Sequence, residues 1–174
     1  MHSLPERKRV RLKGYDYSTP GAYFITICTQ NREHIFDIES NDVGNALCGV
    51  PTSDIPILLP NTLVHKYINE LENKFDNVKI NKYVIMPNHI HAIIVITERH
   101  AGRSLPKIVG WFKAMFTNGY MKGVKDGYLK PFDGKIWQKS YHDHIIRDEK
   151  DYSKIWEYID TNPGRWEEDC FYNQ

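Results

Sequence analysis

The sequence is short of cysteine, of long apolar runs and of net charge, and each shortage excludes a class of protein. Its three cysteines among 174 residues (Cys28, Cys48 and Cys170) are odd in number and widely spaced, which argues against a disulfide framework or a zinc knuckle. No stretch approaches the roughly 18 apolar residues needed to span a bilayer, and the basic N-terminus lacks the apolar segment of a secretory signal. With 41% hydrophobic and 26% charged residues, the composition is that of a globular protein, which we expect in the cytoplasm with reduced thiols.

The net charge of +1 gives no strong overall attraction to nucleic acid, but the basic residues are unevenly distributed. Residues 1–14 form a basic arm, and a second basic stretch covers residues 103–130. Both stretches could follow a phosphate backbone, although a solvated surface and a solvated tail would have the same composition. The residues that we predict to contact phosphates are Arg7, Arg9, Arg11, Lys107 and Lys113.

Side-chain periodicity predicts a series of strands and helices. The strands fall at about residues 22–29, 78–85, 89–97, 136–138 and 141–147, and the helices begin near residues 61, 104 and 148. The order of strand, helix, strand, strand, helix and strand, followed by a further helix, is the split βαβ pattern of a ferredoxin-like fold. We therefore predict an α+β protein with an antiparallel sheet, helices on one face, and a C-terminal helix that carries catalytic residues near the open face.

One domain is expected to follow the basic arm and to span residues 15–174. Within it, residues 37–60 are rich in glycine, proline, asparagine and aspartate, which are typical of turns. A stretch of this length without periodicity predicts a loop inserted into the domain.

Two histidines begin the third predicted strand. Because side chains alternate along a strand, His89 and His91 point to one face and Ile90 to the other. The strand rise separates their backbones by about 6–7 Å, so the two imidazoles could share a divalent ion such as Mg²⁺ or Mn²⁺. The spacing alone is more often that of two hydrogen-bonded histidines on a sheet, and His142 and His144 repeat it around a charged residue.

The last predicted helix carries a candidate nucleophile. Tyr158 and Asn162 are four residues apart and therefore share one side of this helix. Its core stripe is predicted to consist of Tyr152, Ile155, Trp156 and Ile159. If the helix crosses the open face of the sheet, Tyr158 meets the histidines and Asn162 offers an amide oxygen as a third ligand. Most of the eleven tyrosines are expected to be packing residues, and Tyr141, beside His142 and His144, is an alternative nucleophile.

Three segments together resemble the single-tyrosine HUH transposases, most closely the REP-associated tyrosine transposases and their insertion-sequence relatives. The segments are residues 83–91 (YVIMPNHIH), Trp137-Gln138 and residues 158–163 (YIDTNP). The resemblance extends from about Gly14 to Trp166 and so covers nearly the whole chain.

The resemblance implies a site and a reaction. His89 and His91 correspond to the metal-binding pair of the family, Tyr158 to its nucleophile, and Asn162 to a polar ligand that is glutamine in some relatives. The implied enzyme cleaves and rejoins single-stranded DNA near a hairpin, through a 5′-phosphotyrosine and a free 3′-hydroxyl, with Mg²⁺ or Mn²⁺ as cofactor. Insertion-sequence relatives act as homodimers, and no residue of this sequence decides between a monomer and a homodimer.

A second function class is a non-catalytic module that binds single-stranded nucleic acid, because ferredoxin-like sheets often do so without chemistry. Such a module has no need of paired histidines, a placed tyrosine and an amide, and the sequence has them all. We therefore predict an HUH transposase with single-stranded DNA as partner, no membrane association, and a location in the cytoplasm at the nucleoid.

Overall fold

The computed structural model describes residue 12 and residues 14–36, 59–100 and 103–172. The predicted phosphate contacts Arg7, Arg9 and Arg11, and most of the predicted 37–60 loop, lie outside the described residues. Within the described ranges, no helix is both long enough and apolar enough to cross a membrane.

An antiparallel sheet is the centre of the fold. Its four strands are β1 (Gly21–Cys28), β2 (Val78–Met86), β3 (His89–Ile96) and β4 (His142–Ile146). Their spatial order is β2–β3–β1–β4, so that β3 and β1 are the inner strands. Helix α1 (Pro60–Lys74) connects β1 to β2, and helix α2 (Leu105–Lys125) connects β3 to β4. This is the βαββαβ order of the ferredoxin-like fold, and the predicted fold class is confirmed.

The side chains of β3 alternate between the two faces of the sheet. Ile90 and Ile94 lie on the face that α1 and α2 cover, where they line the core together with Leu71 of α1 and Phe112 of α2. The histidines alternate with these isoleucines and therefore lie on the opposite face, called here the histidine face. Burial of the isoleucines fixes the register, because a shift by one residue would move the histidines into the apolar core.

The last helix, α3 (Glu149–Thr161), lies on the histidine face. It begins close to the predicted position near residue 148, and Asp148 caps it, since its carboxylate accepts a hydrogen bond of 2.8 Å from the backbone amide of Asp151. The predicted core stripe is wrong in part: Ile159 is buried, but Trp156 is 38% exposed, because it packs beside the edge strand β2 under the ammonium group of Lys82. A 3₁₀ turn, Asn162–Glu168, follows the helix.

One predicted strand is absent from the described residues, and one helix begins slightly earlier than predicted. Residues 136–138 form no strand in the described structure and contact the sheet through a single bridge between Thr29 and Trp137. The reason is that Lys113 of α2 donates hydrogen bonds to the carbonyls of Gln138 and Ser140 and holds this stretch against the helix. Helix α1 begins at Pro60, just before the predicted start, because the fixed φ of proline suits the first helical position.

Candidate active site

Two buried imidazoles meet on the histidine face. The Nε2 atoms of His89 and His91 lie 2.9 Å apart. The two residues are 0% and 1% exposed, because α3 and the C-terminal residues cover them on one side and the sheet on the other. The alternation of side chains along β3 therefore brings the two predicted ligands together.

Each imidazole is oriented by a hydrogen bond at its other nitrogen. His89 Nδ1 lies 2.8 Å from Asn88 Oδ1, which can only accept, so Nδ1 carries the proton and Nε2 the lone pair. His91 Nδ1 lies 2.8 Å from Thr26 Oγ1. When Nδ1 donates to this hydroxyl, the lone pair on His91 Nε2 points toward the lone pair on His89 Nε2. Two lone pairs at this distance repel each other unless a cation lies between them. The orientation therefore suits a shared metal ion.

Burial keeps both imidazoles neutral. It lowers the pKa of His89 to about 3, an effect that the neighbouring His91 and Arg32 increase and Asp169 opposes. Burial also lowers the pKa of His91, again against the influence of Asp169. Neutral imidazole is the form that binds metal, so that no proton has to be displaced from either ring at neutral pH.

Asp169 completes a group of three metal-binding side chains. Its Oδ2 lies 3.9 Å from each of the two Nε2 atoms, and the three ligand atoms all lie within 4.8 Å of one another. Burial would raise the pKa of this carboxyl group, but polar contacts with His91, the Phe171 backbone amide and Asn162 outweigh burial and lower it. Two imidazole nitrogens and a carboxylate oxygen are a common donor set for divalent metals, so the residues fit such an ion.

Asp169 was not predicted from the sequence. This residue lies beyond the segment 158–163 that carries the resemblance, and no spacing in the sequence relates it to the histidines. The 3₁₀ turn that begins at Asn162 reverses the chain and carries Asp169 back to the sheet. The only signal was the residue type, an acid within a stretch to which no function had been given.

Tyr158 reaches the same cluster from α3. Its hydroxyl lies 3.2 Å from His91 Nε2 and donates a hydrogen bond of 3.1 Å to Asp169 Oδ2. The ring packs edge-on against Phe24 of β1, with the centroids 6.0 Å apart, and this contact holds it over the sheet. Burial and the negative charge of Asp169 raise the pKa of Tyr158, so its hydroxyl is protonated at neutral pH. The residue is 39% exposed and therefore accessible from solvent.

Asn162 lies one helical turn after Tyr158. Its backbone amide donates to the Tyr158 carbonyl, and the residue is 3% exposed. Its side-chain amide acts to lower the pKa of Asp169 and opposes the rise in the pKa of Tyr158, although its buried Nδ2 makes no hydrogen bond to the described residues. The structure thus brings together His89, His91, Tyr158 and Asn162, while the role of Asn162 as a metal ligand stays a prediction.

The alternative nucleophile, Tyr141, lies elsewhere. It is 4% exposed and belongs to the hydrophobic core on the helical side of the sheet. Its neighbours His142 and His144 lie on the histidine face, where they pair with Thr26 and Phe24 of β1. Tyr141 and these histidines therefore point to opposite faces, and a proton transfer between them has no geometric basis.

The two lysines that were predicted to contact phosphates are both on α2, on the helical side of the sheet. Lys107 is exposed near the start of this helix. Lys113 Nζ donates hydrogen bonds of 2.9 and 2.8 Å to the carbonyls of Gln138 and Ser140. Neither lysine lies on the histidine face, so any DNA that they contact lies outside the cluster around Tyr158.

Several known proteins are similar to this chain. Residues 18–162 match the family model described as IS200-like transposase. An uncharacterised protein of Haemophilus influenzae is 36% identical, in an alignment that covers 97% of this chain and 94% of that protein. A second Haemophilus influenzae protein, provisionally named a REP-associated tyrosine transposase, is 24% identical over 85% of this chain and 73% of its own length. A solved REP-associated tyrosine transposase bound to a REP hairpin has a TM-score of 0.58 at 22% identity, over 93% of this chain and 74% of that chain.

Proposed function

Because the chain belongs to the family of IS200-like transposases, we propose that it cleaves and rejoins single-stranded DNA with Tyr158 as the nucleophile. The observation that carries this proposal is the position of the Tyr158 hydroxyl, 3.2 Å from His91 Nε2 and 3.1 Å from Asp169 Oδ2. A tyrosine that serves packing alone has no need of these two partners. The likeness to a transposase bound to a REP hairpin supports a substrate with a hairpin beside the cleaved strand.

In this proposal a divalent ion, Mg²⁺ or Mn²⁺, is held by His89, His91 and Asp169, with Asn162 as a further ligand. The bound ion would supply positive charge that offsets the carboxylate and polarises an oxygen of the scissile phosphate. The protein contributes the orientation of the ligands, because Asn88 and Thr26 direct the two imidazoles before any ion binds.

The proposed reaction is a transesterification. The Tyr158 oxygen forms a bond to phosphorus while the bond from phosphorus to the 3′ oxygen breaks, and the 3′ oxygen takes up a proton as a free hydroxyl. Solvent takes up the phenolic proton at the exposed side of Tyr158 and supplies the proton of the 3′-hydroxyl. The product is a 5′-phosphotyrosine. Attack by another 3′-hydroxyl reverses the step and rejoins DNA without ATP.

The predicted phosphate contacts would serve a different part of the substrate. Lys107 and Lys113 lie on α2, away from Tyr158, so we propose that they and the arm residues Arg7, Arg9 and Arg11 bind the hairpin. The strand to be cleaved would enter on the histidine face. The cluster is assembled from residues of one chain, so a partner subunit is not needed to bring Tyr158 to the histidines.

The test is the formation of a covalent protein–DNA adduct. Labelled single-stranded hairpins from the DNA that flanks the gene are incubated with the protein in Mn²⁺, Mg²⁺ or EDTA, and adducts are resolved on a denaturing gel. We expect a metal-dependent adduct for the wild type and for Tyr152→Phe, a matched control on the same helix. We expect none for Tyr158→Phe, because the nucleophilic oxygen is missing, and none for His91→Ala.

An adduct that persists in Tyr158→Phe would contradict the choice of nucleophile. A hairpin that binds tightly but yields no adduct in any metal would favour the non-catalytic binding module instead. Asp169→Asn keeps the shape of the side chain but removes its charge, and we expect adduct formation to slow by about 100-fold. An unchanged rate would show that Asp169 does not support the metal.

A further inference from the structure

One aromatic ring, that of Phe171, is surrounded by four groups that bind metals or anions. Its centroid lies 4.8 Å from the centroid of His89, 6.1 Å from that of His91 and 5.7 Å from that of His142. The guanidinium carbon of Arg32 lies 5.7 Å from the same centroid. These groups come from β3, from β4 and from the turn after β1, so they approach the ring from three different elements.

The backbone that carries Arg32 is strained. Asn31 and Arg32 have φ values of 54° and 58°, in the left-handed region that residues other than glycine rarely adopt. Thr29 anchors the turn, since its hydroxyl donates to the carbonyls of Glu33 and Asn88 at 2.7 and 2.9 Å. Strain of this kind persists where surrounding contacts impose it, and it is concentrated at functional sites. The turn holds the Arg32 side chain toward the C-terminal residues, where it also donates to the Cys170 carbonyl at 3.4 Å.

His142 approaches the ring from β4. Thr26 pairs with His91 in β3 and with His142 in β4, so the two histidines lie in one row across the histidine face. His142 is exposed, whereas His144, two residues further along the same strand, is bound through Nε2 to Asp151 at 2.8 Å. An imidazole always has an N–H group to donate, whether or not the ring is charged.

We propose that Arg32 and His142 bind the non-bridging oxygens of the scissile phosphate, at the place where the Phe171 ring now lies. This inference rests on the proposed function and assigns two further catalytic residues to it. A phosphate that Tyr158 attacks has to lie beside His91. The Phe171 ring occupies a space beside His91, and this space is within reach of both Arg32 and His142.

The chemistry of the two side chains suits this role. A guanidinium group forms paired hydrogen bonds with phosphate oxygens, which are stronger than its contact with an aromatic face, so a phosphate replaces the ring favourably. Fixed donors around these oxygens stabilise the charge that they carry while phosphorus is attacked. Arg32 and His142 would thus bind these oxygens from two different elements, the turn after β1 and the strand β4.

The experiment measures the rate of the Tyr158 adduct in a single turnover for Arg32→Ala and His142→Ala. The matched controls are Arg99→Ala, whose guanidinium group pairs with Asp16 at the opposite end of β3, and His144→Ala. On normal hairpin DNA we expect Arg32→Ala to be slower by about 100-fold and His142→Ala by about 10-fold, with both controls within about 2-fold of wild type.

A second substrate separates a charge contact from a structural role. It carries a methylphosphonate at the scissile position, where one charged oxygen is replaced by a methyl group. There we expect wild type and Arg32→Ala to differ by less than about 3-fold, because the charge that Arg32 binds is absent. Hairpin binding and the melting temperature of each variant are measured in parallel, and Arg32→Lys, which keeps the charge, should recover part of the rate.

Two results would overturn the inference. One is an unchanged rate in Arg32→Ala on normal DNA, and the other is an equal loss on both substrates, which a merely structural residue would cause. A wild-type protein that forms no adduct at all would refute the proposed function, so the two failures are distinguishable.

Discussion

At the residue scale, Thr26 orients one histidine of the candidate metal site and is not itself one of its three ligands. It lies 2.8 Å from His91 Nδ1 and is 3% exposed. When Nδ1 of His91 donates to this hydroxyl, Nε2 keeps its lone pair and is available as a ligand. Asn88 does the same for His89, so each histidine has its own orienting partner.

We expect Thr26→Val to weaken Mn²⁺ binding by about 10-fold, because the shape of the side chain is kept but His91 loses the acceptor that orients it. Isothermal titration calorimetry of the purified protein measures the change. The control is Thr117→Val on α2, where a threonine hydroxyl donates at 2.8 Å to the Lys113 carbonyl away from the site. Equal affinities for wild type and Thr26→Val would mean that the hydrogen bond does not orient the ligand.

At the element scale, Glu72 of α1 forms hydrogen bonds with an irregular part of β2. The strand has an irregular register between Ile80 and Lys82, where the regular ladder is interrupted. Glu72 accepts hydrogen bonds from the Ile80 backbone amide at 2.8 Å and from Lys79 Nζ at 3.2 Å. The hydrogen bond from Ile80 lowers the pKa of Glu72, against a small opposing effect of burial, and Lys79 lowers it further.

This lowered pKa predicts a pH-dependent stability. Because the folded state favours the ionised form, Glu72 stabilises the fold above its ordinary pKa of about 4.5, and the contribution is lost as the pH falls below that value. Glu72→Gln should therefore unfold at lower urea concentration than wild type at pH 7, with the difference shrinking toward pH 3. Glu70→Gln, on the same helix, is the control. A difference that stays constant over this pH range would contradict the assignment.

At the scale of the whole molecule, the candidate metal site joins parts of the chain that are far apart in sequence. His89 and His91 come from the middle of the sheet, whereas Asp169 follows the last helix. An unfolded chain cannot hold these side chains together, so a metal bound by all three would stabilise the folded state alone. The same assembly brings Tyr158 to the metal ligands of its own chain.

We therefore expect Mn²⁺ to raise the free energy of unfolding, by about 2.7 kcal/mol at a concentration one hundred times its Kd. Thermal or urea unfolding with increasing Mn²⁺ measures this, and EDTA should reverse it. Asp169→Asn should need more Mn²⁺ for the same effect, and His91→Ala should show almost none. Equal stabilisation of wild type and His91→Ala would place the bound metal elsewhere.

Much of the fold and part of the site could be predicted from local sequence alone. The alternation in His89-Ile90-His91 and the four-residue spacing of Tyr158 and Asn162 follow from strand and helix geometry, which depends only on neighbouring residues. The order of the elements then indicated the ferredoxin-like sheet. The exposure of Trp156 could not be predicted in this way, because the side of α3 that meets the sheet depends on packing.

By itself, the sequence determined which residues could supply the chemistry, namely two histidines on one face and a tyrosine on the last helix. Only the tertiary structure decided their partners. Asp169 joins the histidines because the 3₁₀ turn reverses the chain, and His142 faces the same side because β4 pairs with β1. Arg32 faces the same cluster because Asn31 and Arg32 itself adopt left-handed backbone angles. These contacts join residues distant in sequence, and their free energy depends on the path of the whole chain.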